Sequence, residues 1–373
     1  MEFSIFIIST IRIDWSVSDS ICVRTSAENI MKEELGLILE GKTVLITGGG
    51  GTVGTEIALQ AIKWKPDRIV CLGRSKKKLV DVVVNAQKVS SNVHVEIDLC
   101  DITDRGRIDE LFSKYRPDIV FHMAAEKDIR LTNDDPIRAV TVNVQGTCNV
   151  VGAASEFGVA RLAFASSIKA DHPSSVMGAT KRLGEMIVGD AANHLSRIYY
   201  TVRLSNVLES SGGVHTLFCK QIESGGPVTV THPDAVRVFV TAKETAELLL
   251  ETLKVATPGS VLSLMSGNKT NVLDLAKNLI SSYGLVVEDD IDIDYVGLRD
   301  GERLVEETIF DGQEWALTSN KKILVHRTDK QSDQYIGLDN SINELISVAK
   351  EKDLTSLLRK ISVIVPDCAE LGQ

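Results

Sequence analysis

The sequence predicts an α/β protein, a doubly wound parallel sheet with a smaller C-terminal domain, and three features of the chain lead there. From Lys42 onward short β-branched runs alternate with longer helical patterns, the pattern of a parallel sheet wound by crossover helices. The runs DIVFH at Asp118 and RLAFAS at Arg161 are almost wholly apolar, as strands covered by helices on both faces must be. After Arg203 the alternation loosens into a Gly/Ser-rich stretch, Glu209 to Gly213, and then a turn at Gly225, Gly226 and Pro227, where a smaller domain would begin.

Taken in order, the expected strands are Thr43 to Ile46, Arg68 to Leu72, Val93 to Ile97, Asp118 to His122, Arg161 to Ser166 and Ile198 to Arg203. Helical spacing lies between them and returns at Lys243 to Val255 and Val272 to Tyr283. Met31 to Leu39 reads as a short amphipathic helix leading into the first strand. The acidic run Glu288 to Asp294 reads as a solvated loop, and the tail from about Gln331 as a surface helix.

Length and charge narrow the function classes. A chain of 373 residues can bury a large core as one large or two closely joined domains. Its net charge of -10 argues against a broad nucleic-acid surface while permitting a local cationic pocket for a phosphorylated ligand. The six cysteines lie far apart, without a CxxC pair or a histidine at ligand spacing, so they read as thiols of a reducing cytoplasm rather than metal ligands. The apolar stretch Ile5 to Ile8 is too short to span a bilayer, and with no basic residue before it, it fits a signal peptide poorly. Residues 1 to 30 read as a docking segment, a leader, or an extension upstream of Met31.

The chemistry begins at VLITGGGGTVGTEIA, which places Thr47, Gly48, Gly51, Thr52, Val53 and Gly54 between the first strand and the first helix. Glycines there let the backbone turn tightly, approach a pyrophosphate and present helix N-terminal amides to its charge, as in a Rossmann dinucleotide site. At the end of the second strand Gly73 stands where an acidic residue would accept a ribose 2′-hydroxyl, and Arg74, Ser75 and Lys76 follow. Loss of the carboxylate and gain of cations suit the 2′-phosphate of NADP rather than NAD. The alternative is a solvated basic turn opening a helix.

Eight blocks, in order, carry a resemblance: TGGGGTVG at Thr47, DITD at Asp101, HMAAEKDIRL at His122, NVQGT at Asn143, SSIKADHPSSVMGATKR at Ser166, RLSNVLESSGGV at Arg203, GGPVTVTHPDAVRVFVT at Gly225 and GLRDGERLVEE at Gly297. From about Leu39 to Glu307 the chain resembles the extended short-chain dehydrogenase/reductases of polysaccharide biosynthesis, the dehydratases and epimerases of UDP-GlcNAc and related UDP-sugars. The resemblance implies a dinucleotide-binding Rossmann domain at 41–205 with a return around 236–262, and a substrate domain at 206–235 and 263–330. Residues 1–40 would be a leader and 331–373 a tail. It also implies a UDP-sugar partner and a homo-oligomer.

Site roles follow from the same resemblance. Asp101 and Ile102 would sit at the adenine, and Ala124, Ala125 and Asn143 would line or support the cofactor. Lys181 would hydrogen-bond the nicotinamide ribose, Ser167 the sugar O4, and Lys169 would be the base of the later step. Asn206, Val207, Arg237, Arg299 and Glu302 would hold the nucleotide and its diphosphate.

Two departures bear on the reaction. The tyrosine that acts as base in most of the superfamily is Met177, four residues before Lys181, so O4 deprotonation falls to Lys169 or Lys127 with a depressed pKa. Ile168 stands where the dehydratases carry an aspartate, leaving protonation of the C6 leaving oxygen to a relocated acid among Asp171, His172 and Glu126. The shared first step is hydride transfer from C4 to give a 4-keto sugar. The resemblance then favours 4,6-dehydration, with or without inversion at C5, and Ile168 favours 4-epimerisation. A non-catalytic sugar-nucleotide binder is the third reading.

Overall fold

The computed structural model describes residues 34–90, 94–210, 212–306, 314–326, 335 and 337–368. The strands β1 (Thr43–Thr47), β2 (Arg68–Gly73), β3 (His94–Leu99), β4 (Ile119–His122), β5 (Arg161–Ser167) and β6 (Ile198–Leu204) stand within a residue or two of the expected ones. Val93 and the start of the helix expected at Met31 lie outside the described residues.

With β10 (Val261–Leu264) these strands form a parallel sheet in the order β3-β2-β1-β4-β5-β6-β10. The order reverses between β1 and β4, and ligands of such sheets bind in the crevice beyond the carboxyl ends of the strands at that switch. In β1, Val44 and Ile46 face a core shared with helix α1 (Thr52–Ala61), α2 (Lys76–Val89) and α9 (Ala242–Val255). Leu45 faces the opposite core, with α3 (Arg105–Tyr115), α6 (Gly146–Glu156) and α7 (Val176–His194). Burial on both faces is why these strands are apolar throughout rather than alternating.

Two further short helices, α4 (Ile129–Asp134) and α5 (Pro136–Val140), precede α6, and between α5 and α6 the helix widens into a π-turn at Thr141–Gln145 that carries Asn143. The smaller lobe holds α8 (Val214–Glu223), α10 (Val272–Ser282) and the two-stranded sheet of β8 (Val228–Val230) and β12 (Ile293–Tyr295) around their own core. The acidic run before β12 is exposed at Glu288, Asp289 and Asp290, as a solvated loop should be.

Three segments differ from expectation. Within 236–262, α9 and β10 return to the large sheet, but β9 (Val236–Val240) pairs with β7 (Asn206–Val207) and β11 (Asn268–Asn271) in a three-stranded sheet of its own. Beyond residue 314, β14 (Ile323–His326) pairs antiparallel with β10, covering its otherwise open edge, and β13 (Trp315–Leu317) pairs antiparallel with β14, so both extend the large sheet instead of joining the smaller lobe. The tail forms two helices, α11 (Leu338–Glu351) and α12 (Leu354–Ile364), and not one surface helix. Their Leu345, Leu357 and Ile361 are fully buried with Val140 and Leu183, so the hairpin belongs to the core against α5 and α7.

Candidate active site

A cleft of about 850 Å³ opens at the switch between β1 and β4 and runs to the smaller lobe. Its floor is the loop from β1 to α1. Gly48 has φ +67, a left-handed conformation that favours glycine. A Cβ on Gly54 would run into the Gly48 carbonyl oxygen, so the helix can start this close to the loop only with glycine there. The N-terminus of α1 has no side-chain cap, and Gly51, Thr52 and Val53 there line the cleft. This cradle fits the pyrophosphate of a dinucleotide.

Thr47 lies behind the floor. Its Oγ1 is 2.7 Å from His122 Nδ1 and accepts from the Ala124 amide at 3.3 Å, while His122 Nε2 is 3.1 Å from Thr147 Oγ1. Burial, with the charge of Lys181 adding to it, pushes the His122 pKa down to about 3, so the ring stays neutral. Asn143 is likewise buried behind the wall. It accepts from the Glu126 amide at 2.8 Å and donates to the Glu126 carbonyl at 2.9 Å, which shapes the loop after β4 that carries Ala124 and Ala125.

At the far rim Gly73, Arg74, Ser75, Lys78, Asp101 and Ile102 line the cleft. Of the lysine run, Lys78 reaches the cleft because the Ser75 cap starts α2 in that orientation. Arg74 is held by Glu126 at 3.0 Å and lies 3.9 Å from Asp101. Burial raises the Glu126 pKa, but hydrogen bonds from Arg74 and Arg138 outweigh it and leave the carboxyl below its usual range.

The opposite wall carries Ser167, Lys169, Met177 and Lys181. β5 ends at Ser167, whose Oγ accepts from the Lys169 amide at 3.2 Å and so begins the short turn that aims Lys169. Lys181 follows Met177 by one turn of α7. Its ammonium donates to the Ala165 carbonyl at 2.7 Å, lies 5.0 Å from the Phe164 ring centre, and is pushed down to about 8 by burial and by Lys127. Lys127, at the cleft mouth, is lowered by desolvation and by the charges of Lys78 and Lys169.

On the smaller lobe Asn206, Val207, Arg237, Arg299 and Glu302 face the same space. The Arg237 guanidinium is engaged with Glu302 at 2.5 Å, with the carbonyls of Val236 and Leu304 at 2.9 and 3.0 Å, and with Glu306 at 3.4 Å. Arg299 is exposed, and its guanidinium makes no hydrogen bond or ion pair among the described residues.

Two acids near Lys169 in sequence or in space behave differently from one another. Ile168 is buried outside this cleft, and Asp171 turns toward Arg203 at 3.4 Å. Glu306 was not singled out from the sequence, yet it is buried in the cleft wall and touches Lys169 Nζ at 2.8 Å. The only signal for it is its place at the end of the GLRDGERLVEE block, which does not distinguish a buried from an exposed glutamate.

Residues 44–328 match the family model described as polysaccharide biosynthesis protein. The chain belongs to this family. It falls in the nucleotide-sugar dehydratase/epimerase group of the extended short-chain dehydrogenase/reductases. It is 40% identical over 273 residues to the capsular polysaccharide biosynthesis protein CapD of Staphylococcus aureus, covering 73% of this chain and 45% of that one. The chain therefore spans about half the length of that relative. It is 30% identical over 277 residues to a UDP-glucose 4-epimerase of Rickettsia canadensis, covering 72% of this chain and 77% of the other. Among solved structures, Pen from Bacillus thuringiensis is 28% identical with a TM-score of 0.68, covering 79% of this chain and 90% of that one. No helix among the described residues is long and apolar enough to cross a membrane.

Proposed function

We propose that this chain is an NADP-dependent 4,6-dehydratase of a UDP-GlcNAc-type sugar, acting through a 4-keto intermediate in the synthesis of polysaccharide precursors. The observation that carries the reading is the shared cleft: the glycine cradle, the wall with Ser167, Lys169 and Lys181, and the Arg299 side all face one space. When bound, NADP supplies the acceptor for the C4 hydride and the donor that later reduces C6. Ser167 hydrogen-bonds the sugar O4, and Lys127, lowered by its surroundings, takes the O4 proton. Lys181 would hold the nicotinamide ribose, Asp101 and Ile102 would hold the adenine, and Ala124 and Ala125 would line the cofactor. Arg299 meets the diphosphate. Arg237, already committed to two carboxylates, serves with Glu302 and Asn206 to shape the nucleotide pocket and leaves the first phosphate contact to Arg299.

NADP is preferred over NAD because Gly73 presents no carboxylate at the ribose edge while Lys78 faces it and Arg74, half-exposed, would exchange its 3.0 Å contact with Glu126 for the 2′-phosphate. A charge-assisted contact to the 2′-phosphate contributes about 1.5–3 kcal/mol. Arg74→Ala should therefore weaken NADP by roughly tenfold or more and leave NAD within about threefold, read by cofactor titration. Equal losses for both cofactors would remove the 2′-phosphate from this site.

The reading is tested by incubating the protein with NADP and either UDP-GlcNAc or UDP-glucose and analysing products by mass and NMR. Loss of one water supports it. One observation favours a second reading, UDP-hexose 4-epimerase: no acid stands at Ile168, and epimerisation needs none at C6. A product of unchanged mass with inverted C4 would select it, and NADP binding without any turnover would select a non-catalytic binder.

A further inference from the structure

We propose that Glu306 and Lys169 form one acid–base pair, the carboxylate taking the sugar C5 proton and the ammonium protonating the C6 oxygen as it leaves. The inference deepens the dehydratase reading and rests on it.

Elimination next to a 4-ketone needs two groups at once, a base at C5 and an acid at the C6 oxygen. A lone lysine in the position of Lys169 supplies one of them, and Ile168 supplies none. The structure pairs Lys169 with a second group from a distant part of the chain: Glu306 Oε1 lies 2.8 Å from Lys169 Nζ, and both side chains line the cleft. Glu306 reaches there because Val305 bridges to Val236, which docks the segment against β9.

Its surroundings keep the carboxylate charged. Asn206 donates to Glu306 Oε2 at 2.5 Å and accepts from Lys169 Nζ at 2.8 Å, closing a three-membered ring of contacts, and Arg237 Nε stands 3.4 Å from Oε1. Burial raises the Glu306 pKa, but Lys169 and Arg237 outweigh it and hold the carboxyl below its usual range. An ionised carboxylate and an ammonium are thus presented side by side to the same space, which is the combination that Ile168 alone denies to Lys169.

The step balances within the site. The C5–H bond breaks, its proton forms an O–H bond on Glu306, and its electron pair becomes the C5–C6 double bond. The C6–O bond breaks, and its oxygen departs as water with the Lys169 proton. When C6 is reduced by the NADPH formed in the C4 oxidation, Glu306 returns its proton to C5. The proton lost by Lys169 is made good by the one released from O4 in that same first oxidation. The 2.8 Å contact is also a direct route for exchanging protons between the two groups.

The test uses the full chain with NADP and UDP-GlcNAc in deuterated water, comparing wild type, Glu306→Gln and Lys169→Gln. In Glu306→Gln, C4 oxidation, seen as NADPH absorbance, should persist while C5 exchange and water loss fall at least about 100-fold. In Lys169→Gln, water loss should fall similarly, but C5 deuterium should still wash in, because the base remains. Loss of C5 exchange in Lys169→Gln with retention in Glu306→Gln would overturn the assignment in favour of lysine as the base. Without substrate or cofactor, labelling of Lys169 by an amine-reactive reagent, followed by mass, should rise at least fivefold in Glu306→Gln; an unchanged rate would show that the pair does not exist in solution. Should Glu306→Gln fail to fold, Glu306→Asp keeps the carboxylate but withdraws it by one methylene, and dehydration at the wild-type rate would overturn the proposal. A wild type that shows no NADPH and no exchange rejects the dehydratase reading itself, and a wild-type product of unchanged mass overturns both.

Discussion

Replacement of Arg203 by methionine is expected to destabilise the protein by about 3–5 kcal/mol, the range for removing one partner of a buried ion pair. Arg203 on β6 makes a two-pronged contact with Glu185 on α7, Nε to Oε1 at 2.9 Å and Nη2 to Oε2 at 3.0 Å. Both side chains are nearly closed to solvent, 5% and 1% exposed. Ser166 donates to the same carboxylate at 2.6 Å and Arg182 at 3.0 Å. Without Arg203 the carboxylate stays buried with only the half-exposed Arg182 as a cationic partner. Denaturant unfolding at pH 7 reads the loss, and the double variant Arg203→Met with Glu185→Leu should recover part of it, since it removes the buried Glu185 carboxylate but leaves Asp171, which Arg203 also contacts at 3.4 Å. A loss under about 1 kcal/mol would show that water reaches the site.

The same pair gives stability a pH dependence of definite sign. Burial opposes ionisation of Glu185, but Arg203 dominates and holds its pKa at about 2 against an ordinary 4.5. A carboxyl depressed in the folded state contributes its full stabilisation above about 4.5 and loses it as pH falls through that value toward 2. The wild type should therefore lose stability across this window, and the double variant should lose correspondingly less.

Much of this was legible in the sequence because the signals are local. Strand edges follow from apolar runs bounded by charge or glycine, and Gly48 and Gly54 are constrained by backbone geometry that no other residue serves. Seven of the eight blocks line one cleft, and the NVQGT block stands behind its wall, because a parallel sheet carries the carboxyl ends of its strands to one side, which is a property of topology rather than of any single block. What depended on long-range pairing was not legible. β9 lies in a segment that reads like a return to the main sheet, and only its partners β7 and β11 place it elsewhere. β13 and β14 are three and four residues long, too short to declare which sheet they extend. Leu338, Ile342 and Leu345 show helical spacing, but spacing cannot say that the facing surface on α5 and α7 is apolar. Glu306 belongs to the same class: its chemistry comes from Lys169, Asn206 and Arg237, which stand 137, 100 and 69 residues away along the chain.

Replacement of Lys181 by methionine is expected to lower turnover by about 10³-fold, within the range for removing a positioned acid–base or charged group. The side chain is fully enclosed, so methionine of similar length should fill the space while the ammonium facing the proposed nicotinamide ribose is lost. If the charge is what acts, wild-type turnover must decline as pH rises through about 8, where burial and the charge of Lys127 allow the ammonium to lose its proton. Lys181→Arg, which keeps its charge at higher pH, should lower the plateau but move that decline upward by more than one pH unit. Glu185 raises the Lys181 pKa and is itself neutralised by Arg203, so the two sites are joined through one carboxylate. Taking away Arg203 leaves more of the Glu185 charge to act on Lys181. The Arg203→Met variant, assayed at a temperature where it stays folded, should therefore hold its activity to higher pH than the wild type, and a decline at the same pH in both would mean that another group controls it.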